Sequence, residues 1–437
     1  MSIGYDQTSK NCVTNSREDL RQWEATQPMT ALLLDAHLKS SLAAIRSLGR
    51  RGIPVIAGSF RRTAMGLHSR YVRESFLYPS PLENRRGFIE AINRCSCRFG
   101  KTVLLVFSDA TLLPLARDEN LLAGQAAYVL PPSRDCFEIA FDKASTLKLA
   151  QKIGVEIPVT YFCASESDVA HILPELTYPV VIKPRRSVSW RGDTGTHRTT
   201  SFVFSAEQLK TKCASVLSKS GEFPLIQKYI LGEEAGVEYL CDKGTVLAAC
   251  AHRRIRSLSP EGGPSVVKQT VPLSYQGLGE RAERLVAALR WSGPIMVEFK
   301  IDRASGVPML METNGRFWGS LPLAIAAGVD FPYLLYRLAR GEHVTPNLQY
   351  QEGVVTRHLM ADFKNLLWVL FKNDPLRPIA YPTRMRAIRD FIFAPKGCKP
   401  DVRDLRDMRP ALAEIIDTVT RVTARKAREF WAARVRR

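Results

Sequence analysis

Two stretches of sequence decide the fold: Val297-Glu298-Phe299-Lys300-Ile301-Asp302 and Leu310-Met311-Glu312-Thr313-Asn314-Gly315-Arg316. Both have the length and composition of strands, in which every second side chain lies on the same face. Glu312, Asn314 and Arg316 therefore project together if the second strand continues that far. The sequence predicts a β-hairpin whose second strand presents a carboxylate, an amide and a guanidinium on one face.

The register of this hairpin decides whether two carboxylates meet. A five-residue loop at 303–307 pairs Asp302 with Pro308. Glu298 then lies directly opposite Glu312, and two like charges ~5 Å apart are destabilising unless a pKa shifts or a cation binds. Carboxylate and amide oxygens suit Mg²⁺ that bridges phosphate oxygens. A slip of one residue would break this opposition, and an exposed hairpin with ordinary surface charges fits the same residues.

The composition limits the class of protein. The chain has 62 basic and 43 acidic residues, a formal net charge of +19. Such an excess favours anionic partners, but the sequence has no zinc-ligand spacing and no aromatic run among its lysines and arginines, which are signs of nucleic-acid binding. No run approaches the ~20 apolar residues that span a bilayer, and the polar first 28 residues are not a secretory signal. We therefore expect a cytoplasmic protein that binds no nucleic acid.

Short apolar runs alternate with helix-length segments in the first third of the chain. The runs lie at 31–35, 53–58, 74–78 and 102–107. This order predicts an α/β N-terminal domain with a doubly wound parallel sheet over residues 29–135. The turn after the first run has no GxGxxG motif, so a dinucleotide site is not predicted there.

The rest of the chain has two further patterns. Strand-like runs follow one another closely up to about residue 340, which is typical of an α+β region with antiparallel pairs. Beyond residue 340 the pattern weakens and becomes more basic, with a helix predicted over 404–437. That helix has either a solvated basic face or, through Phe430 and Trp431, a peripheral membrane contact.

The pattern Glu298, Glu312-x-Asn314-x-Arg316 closely resembles the magnesium-binding end of the ATP-grasp superfamily, which includes carboxylate–amine ligases and carbamoyl phosphate synthase-like proteins. Further segments resemble motifs of the same family in the same order, at 141–143, 154–160, 179–184 and 225–234. The resemblance implies a polar tail at 1–28, a pre-ATP-grasp α/β domain at 29–135, a two-lobed ATP-grasp domain at 136–340 with lobes at 136–224 and 225–340, and a mostly helical basic C-terminal appendage at 341–437.

The resemblance also implies roles for individual residues. The implied ATP-binding residues are Lys143, Lys183, Gln227, Lys228, Tyr229, Ile230 and Glu234. The implied ligands of one or two Mg²⁺ ions, for which Mn²⁺ can substitute, are Glu298, Glu312 and Asn314. Arg316 and Lys183 are implied as catalytic groups that stabilise the transferring phosphoryl group. Glu233 and Glu238 are alternatives to Glu234 for binding the ribose.

The second substrate is predicted to lie near four residues after a strand. Arg254 and Arg256 share a face if the segment is extended, and they could clamp a carboxylate by bidentate contacts. Gly262 and Gly263 would let the backbone approach an anion closely. A charged strand edge with an ordinary glycine turn fits the same residues.

Two features depart from the family's pattern. The loop after Lys183 has fewer glycines than many relatives, so Gly192 and Gly195, assisted by nearby arginines, are the candidates for covering the phosphates with backbone N–H groups. The hinge has Gln227 where many relatives have Glu, and an amide still accepts a hydrogen bond from the adenine amino group.

The resemblance implies an ATP-dependent, ADP-forming ligase that phosphorylates a small-molecule carboxylate and transfers the acyl group to an amine or similar nucleophile. One alternative is a carboxylase or carbamoyl phosphate synthase-like enzyme that phosphorylates bicarbonate or carbamate. The other is a nucleotide-binding regulatory protein without turnover.

Overall fold

The structure is a computed structural model that describes residues 29–99, 101–117, 126–127, 133–259, 262–371 and 381–435. The side chains of 126–127 and 424–435 and the predicted polar tail at 1–28 lie outside the described set. The described strands form a five-stranded, a four-stranded, a seven-stranded and a two-stranded sheet.

The described residues include thirteen α-helices, numbered α1 to α13 in chain order. They are Lys39–Gly49, Arg85–Phe99, Asp109–Arg117, Arg134–Phe141, Lys143–Lys152, Glu166–Ile172, Ala206–Ser220, Leu278–Ala288, Leu321–Ala326, Phe331–Ala339, Leu359–Phe371, Arg384–Ile392 and Arg409–Val435. Side-chain caps fix several starts; the Asp142 carboxylate accepts from the Ser145 N–H at the start of α5. None of these helices combines the length and the apolar character needed to cross a membrane.

The N-terminal sheet is parallel in every described pairing. Its strands are β1 Thr30–Leu33, β2 Val55–Ser59, β3 Glu74–Leu77, β4 Thr102–Leu105 and β5 Ala126–Ala127, in the spatial order β3-β2-β1-β4-β5. The order runs outward from β1 in both directions, which is the doubly wound topology predicted from the sequence. Strands β2 and β4 are fully buried, as expected of a parallel sheet covered on both faces.

A small antiparallel sheet follows α5. Its strands are β6 Thr160–Tyr161, β7 Val180–Lys183, β10 Ser201–Val203 and β11 Leu225–Lys228, in the order β10-β7-β11-β6. Helices α6 and α7 cover it through Val169, Leu209 and Cys213. A separate hairpin of β8 Val188–Arg191 and β9 Thr194–His197 follows β7.

The seven-stranded sheet is the centre of the molecule. Its strands are β12 Gly232–Asp242, β13 Thr245–Ser259, β14 Gly262–Val271, β15 Gly293–Asp302, β16 Pro308–Asn314, β17 Val355–Arg357 and β18 Lys399–Pro400, in the order β16-β15-β12-β13-β14-β17-β18. Leu240, Ala248 and Met296 of this sheet share a buried cluster with Leu33 and Phe107 of the N-terminal region. One face of the central sheet therefore lies against the N-terminal sheet.

The β15–β16 hairpin confirms one part of the predicted register and corrects another. Glu298 does lie directly opposite Glu312. At the loop, however, Ile301 rather than Asp302 pairs with Pro308. A β-bulge one residue before Glu312 shifts the register by one residue, and this shift brings Glu312 opposite Glu298. The loop length alone did not predict the bulge.

The C-terminal region is mostly helical, as predicted, but it also adds β17 and β18 to the central sheet. Its last helix begins at Arg409 rather than at residue 404. Buried ion pairs join this region to the rest of the molecule: Asp401 accepts from Lys39 at 2.5 Å and from Lys268 at 2.6 Å. Strands of two or three residues and contacts between distant charges leave no periodic pattern in a sequence, so they were not predicted.

Candidate functional site

The three predicted metal ligands meet on the face of the central sheet that turns towards the N-terminal region. The Asn314 amide donates to Glu298 Oε1 at 3.0 Å and lies 3.5 Å from Glu312 Oε1. The amide thus bridges two acids that would otherwise repel each other. Two carboxylates and an amide carbonyl are hard oxygen donors, and this set fits one or two Mg²⁺ ions.

Two lysines approach Glu312 from the first lobe. The Lys143 ammonium, at the first residue of α5, lies 3.1 Å from Glu312 Oε2 and donates to Ser187 Oγ at 2.9 Å. Lys183 ends β7, and its ammonium lies 3.6 Å from Met311 Sδ, which is a weak acceptor. Burial lowers the pKa of Lys183 to about 8. Lys143 therefore contacts the carboxylate pair directly, and Lys183 lies beside Met311, the residue before Glu312.

The two central carboxylates have opposite pKa shifts. Burial acts to raise the pKa of Glu312, but the ammonium groups of Lys143 and Lys183 outweigh it and lower that pKa to about 2. Burial raises the pKa of Glu298, the charge of Glu312 adds to the rise, and the Arg254 guanidinium opposes it. Glu312 therefore stays negatively charged. The ionised form of Glu298 is the less stable of the two, and a nearby cation would stabilise it.

Arg316 is held between the central sheet and the N-terminal sheet. Its Nε donates to Asp109 Oδ1 at 2.7 Å, and its NH2 donates to Asn314 Oδ1 at 2.8 Å. Asp109 begins α3 directly beyond β4, and the rings of Phe107 and Phe317 stack at 5.2 Å beside it. The guanidinium charge is thus fixed next to the predicted metal ligands.

The turn that directs Arg316 requires glycine at 315. A Cβ added to Gly315 would lie 2.5 Å from the Trp291 ring and 3.0 Å from the Phe141 ring. Both rings are buried, so neither can move aside without disturbing the core. Any larger residue at this position would displace Asn314 and Arg316.

Arg254 extends the site along the same face. It donates to Glu298 Oε2 at 2.5 Å, to Glu234 Oε2 at 3.0 Å and to the Gly263 carbonyl at 3.1 Å. Gly262 and Gly263 have φ values of 122° and 100°, which side chains rarely tolerate, so the turn needs both glycines. Three of the four predicted substrate residues, Arg254, Gly262 and Gly263, therefore lie together beside the predicted metal ligand Glu298.

The fourth, Arg256, does not share their face. A bulge at Ile255 lets two β13 residues oppose one on β14, since Arg254 pairs with Lys268 and Arg256 pairs with Val267. The Arg256 guanidinium instead forms a bidentate pair with Asp362, at 2.6 and 2.8 Å. The predicted Arg254–Arg256 carboxylate clamp was wrong because it assumed regular alternation along the strand.

The three candidates for the ribose occupy different environments. Glu234 lies in the site with Arg254, whereas Glu233 lies on the opposite face and accepts from Tyr275 at 2.8 Å. Glu238 is fully buried and accepts a short hydrogen bond from Ser320. Burial raises the pKa of Glu238 to about 8. Among the three, Glu234 is the one that shares Arg254 with the predicted metal ligand Glu298.

The predicted adenine hinge joins β11 to β12. The buried Gln227 amide donates to Thr160 Oγ1 at 2.8 Å, which leaves its oxygen as the end that can accept. The Lys228 N–H donates to the Val159 carbonyl at 2.9 Å, so the Lys228 carbonyl is the group left for an adenine edge. Ile230, which follows, is buried at the edge of the cleft.

The Tyr229 side chain is engaged within the protein. Its ring meets the Phe202 ring edge-on at 5.6 Å and has the Lys300 ammonium 4.8 Å from its centre. These two contacts hold the half-buried Tyr229 side chain against the protein.

The loop after Lys183 departs from the expected arrangement. The Gly195 N–H, predicted to face phosphate, donates to the Leu82 carbonyl at 2.7 Å. The Trp190 indole N–H donates to the Pro81 carbonyl at 3.0 Å and so ties the β8–β9 hairpin to the N-terminal region. Arg185 pairs with Asp142 at 2.6 Å. In this conformation the Gly195 N–H and the Arg185 guanidinium are engaged within the protein, and the covering of phosphate by Gly192 and Gly195 stays a prediction.

Sequence reasoning missed three residues that shape the site. Asp109 holds Arg316, Ser187 accepts from Lys143, and Thr160 orients Gln227. Asp109 could have been identified from the sequence, because it follows a parallel strand at the carboxyl edge of the sheet, where α/β folds bind ligands. The two hydroxyl residues carry no such signal.

Residues 222–361 match the family model described as ATP-grasp in the biosynthetic pathway with Ter operon. The matched segment runs from just before β11 to α11 and contains all three predicted metal ligands together with Arg254 and Arg316.

Three solved structures have a similar fold. The biotin carboxylase domain of Hydrogenobacter thermophilus 2-oxoglutarate carboxylase has a TM-score of 0.59 at 18% identity, over 75% of this chain and 74% of that chain. N5-carboxyaminoimidazole synthetase from Staphylococcus aureus has a TM-score of 0.57 at 13% identity, over 80% and 88%. L-amino acid ligase from Bacillus licheniformis has a TM-score of 0.52 at 19% identity, over 72% and 75%. The matched segment and the similar structures support an ATP-grasp fold for this chain, as its motifs predicted.

Proposed function

We propose that the protein is an ATP-dependent, ADP-forming ligase that phosphorylates a substrate carboxylate and passes the acyl group to an amine or similar nucleophile. One observation carries the proposal: Glu298 and Glu312 oppose each other beside Lys143, with Arg316 fixed at the same place. A protein that only binds nucleotide gains nothing from this combination, whereas phosphoryl transfer requires positioned charges of both signs.

The nucleotide would lie between the small antiparallel sheet and the central sheet. The segment 227–230 would contact the adenine edge, and Glu234 would accept from the ribose hydroxyls. Lys143 and Lys183 would neutralise the phosphates, a task that suits a compact ammonium. In this arrangement all of these groups would contact a single bound nucleotide.

Glu298, Glu312 and Asn314 would hold one or two Mg²⁺ ions, which supply charge neutralisation and orientation of the terminal phosphate when they are bound. Two observations suit this role: Glu312 stays negatively charged, and a cation would stabilise the ionised form of Glu298. The Asn314 amide would have to turn its oxygen towards the ion, and so give up its bonds to the two carboxylates and to Arg316.

The reaction would proceed in two steps. A carboxylate oxygen of the acid attacks the γ-phosphorus of ATP, so that the β,γ-bridging bond breaks and ADP leaves with the electron pair. The nucleophile then attacks the acyl carbon of the acyl phosphate and inorganic phosphate leaves, while the amine loses a proton. Arg316 would stabilise charge on the transferring group, and Arg254 would orient the acid carboxylate by exchanging one of its glutamate partners for the substrate.

Measurement of ADP release from ATP and Mg²⁺ tests the proposal. The purified protein is assayed against pools of amino acids, hydroxy acids and sugar acids, each with and without an added amine. We expect ADP that depends on one acid pool and that is lost in Arg316→Met. Arg281→Met is a matched control, because Arg281 forms a bidentate pair with Glu156 outside the cleft.

Three results would favour other functions. ADP released with bicarbonate alone would indicate the carboxylase or carbamoyl phosphate synthase-like alternative. Binding of Mg-ATP without ADP in any pool would indicate a regulatory nucleotide-binding protein. ADP formed at the same rate without any acid would contradict carboxylate activation.

Lys183 gives the site a measurable response to pH. Its pKa of about 8 leaves it mostly neutral at pH 9 in the free protein, and bound phosphates favour its charged form, so ATP binding at pH 9 should take up close to one proton. Calorimetric titration in two buffers of different ionisation enthalpy measures that uptake. We expect the uptake to disappear in Lys183→Arg, which stays charged, and an unchanged uptake in that variant would contradict the role of Lys183.

A further inference from the structure

The C-terminal helices expose an unusual number of large apolar side chains. On α11 the exposed ones recur at every fourth position: Leu359, Phe363, Leu367 and Phe371. This spacing places them along one side of the helix. The buried residues of α11 are Asp362, Asn365 and Val369, which lie on the opposite side.

Helix α12 lies against α11 and carries further exposed apolar residues. Its exposed apolar residues include Met385 and Ile392, and Phe393 follows directly; they are 75%, 63% and 72% exposed. The helix packs on α11 through the rings of Phe363 and Phe391, 6.0 Å apart.

Helix α13 adds a third exposed stripe. Its members are spaced by three and four residues: Leu412, Ile415, Ile416, Val419 and Val422. The other side of the helix is anchored, because Asp417 accepts from Thr63 and Glu414 pairs with His358 at 2.5 Å. Since His358 directly precedes α11, the two helices are neighbours. We name the exposed apolar residues of α11, α12 and residues 409–423 the C-terminal apolar surface.

Charge is segregated around this surface. In the described parts of residues 359–423 the exposed charged residues are all basic: Lys364, Arg384, Arg386, Arg389, Lys396, Lys399, Arg403, Arg406, Arg409 and Arg421. The acidic residues there are buried or half-buried, and each pairs with a basic group or histidine: Asp362, Asp390, Asp401, Asp404, Asp407, Glu414 and Asp417. The outer side of these helices therefore combines apolar and positive groups without exposed negative charge.

We propose that the C-terminal apolar surface docks on a lipid bilayer that contains anionic lipid. Aromatic and aliphatic side chains would enter the boundary between headgroups and acyl chains, while the arginines would contact lipid phosphates. A second copy of the chain is disfavoured as the occupant, because its basic residues would face the same basic residues. Nucleic acid is disfavoured because aliphatic stripes have no partner on a phosphate backbone.

Flotation of the full chain with vesicles tests this proposal. Vesicles of phosphatidylcholine with phosphatidylglycerol are compared with vesicles of phosphatidylcholine alone. We expect binding to the anionic vesicles only, weakened by salt. We also expect a loss of about tenfold or more in Arg384→Glu/Arg389→Glu, since each basic residue near an anionic surface contributes about fivefold, and a comparable loss in Phe371→Ser/Phe393→Ser.

Matched controls lie on the N-terminal domain. Leu77→Ser changes an exposed apolar residue, and Arg94→Glu changes an arginine whose side chain is 71% exposed, so both should bind vesicles like the wild type. Circular dichroism and Mg-ATP binding establish that each variant is folded. Failure to bind either vesicle, or equal binding by wild type and both double variants, would overturn the proposal. So would a dimer in analytical ultracentrifugation that both double variants convert to monomer.

Discussion

Glu312→Gln is expected to lower the kcat for ADP formation by a factor of roughly 10²–10³ while leaving the KM for ATP within a few-fold. The substitution keeps the shape of the side chain but removes the fixed charge that Lys143 and Lys183 hold ionised. Both lysines would remain to bind phosphate, so the loss should fall on the reacting step. Steady-state kinetics at saturating acid and nucleophile separate the two constants.

Glu156→Gln is the matched control for this prediction. Glu156 also forms an ion pair, at 2.8 Å from Arg281, but its side chain is 44% exposed and forms no hydrogen bond or ion pair with the predicted site residues, all of which the structure describes. Its kinetics should stay near those of the wild type. Equal kcat values for Glu312→Gln and the wild type would show that the carboxylate pair takes no part in phosphoryl transfer.

Asp401→Asn is expected to destabilise the protein by about 3–5 kcal/mol, the usual cost of leaving buried charges without their partner. Asp401 and Lys268 are fully buried, and Lys39 reaches the same carboxylate oxygen. These contacts join helix α1, strand β14 and the C-terminal region, so their loss should loosen all three. Chemical denaturation monitored by tryptophan fluorescence measures the free energy of unfolding.

Asp404→Asn provides the comparison. Asp404 pairs with Arg50, whose side chain is 43% exposed, and an exposed ion pair contributes less than about 1 kcal/mol. A similar small effect for Asp401→Asn would show that water reaches the Lys39–Asp401–Lys268 cluster and that the C-terminal region is not fixed by it.

The sequence predicted correctly the strands that carry the opposed carboxylates and the strands of the N-terminal sheet. Strand β16 begins at Pro308, directly after the predicted loop at 303–307, and Glu298 lies opposite Glu312 as expected. The alternation of strands and helices in the first third also predicted the parallel sheet, because burial on both faces gives short continuous apolar runs.

What the sequence did not predict depends on local irregularity or on distant partners. Two bulges, one before Glu312 and one at Ile255, change which residues share a face, and no residue type marks either of them. Arg256 forms an ion pair with Asp362, which lies more than a hundred positions away in the sequence. The partner of a charged residue is set by the tertiary fold, so a residue pattern shows that a charge is available but not what it will meet.

Calorimetric titration of ATP into the protein, with and without Mg²⁺, tests the central claim most directly. That claim is that one cleft binds ATP together with a divalent cation held by Glu298, Glu312 and Asn314. We predict one ATP per chain, bound more tightly with Mg²⁺ than without it, and loss of this difference in Glu298→Gln. Failure of the wild type to bind ATP in the presence of Mg²⁺, or an affinity that depends on neither Mg²⁺ nor Glu298, would contradict the account.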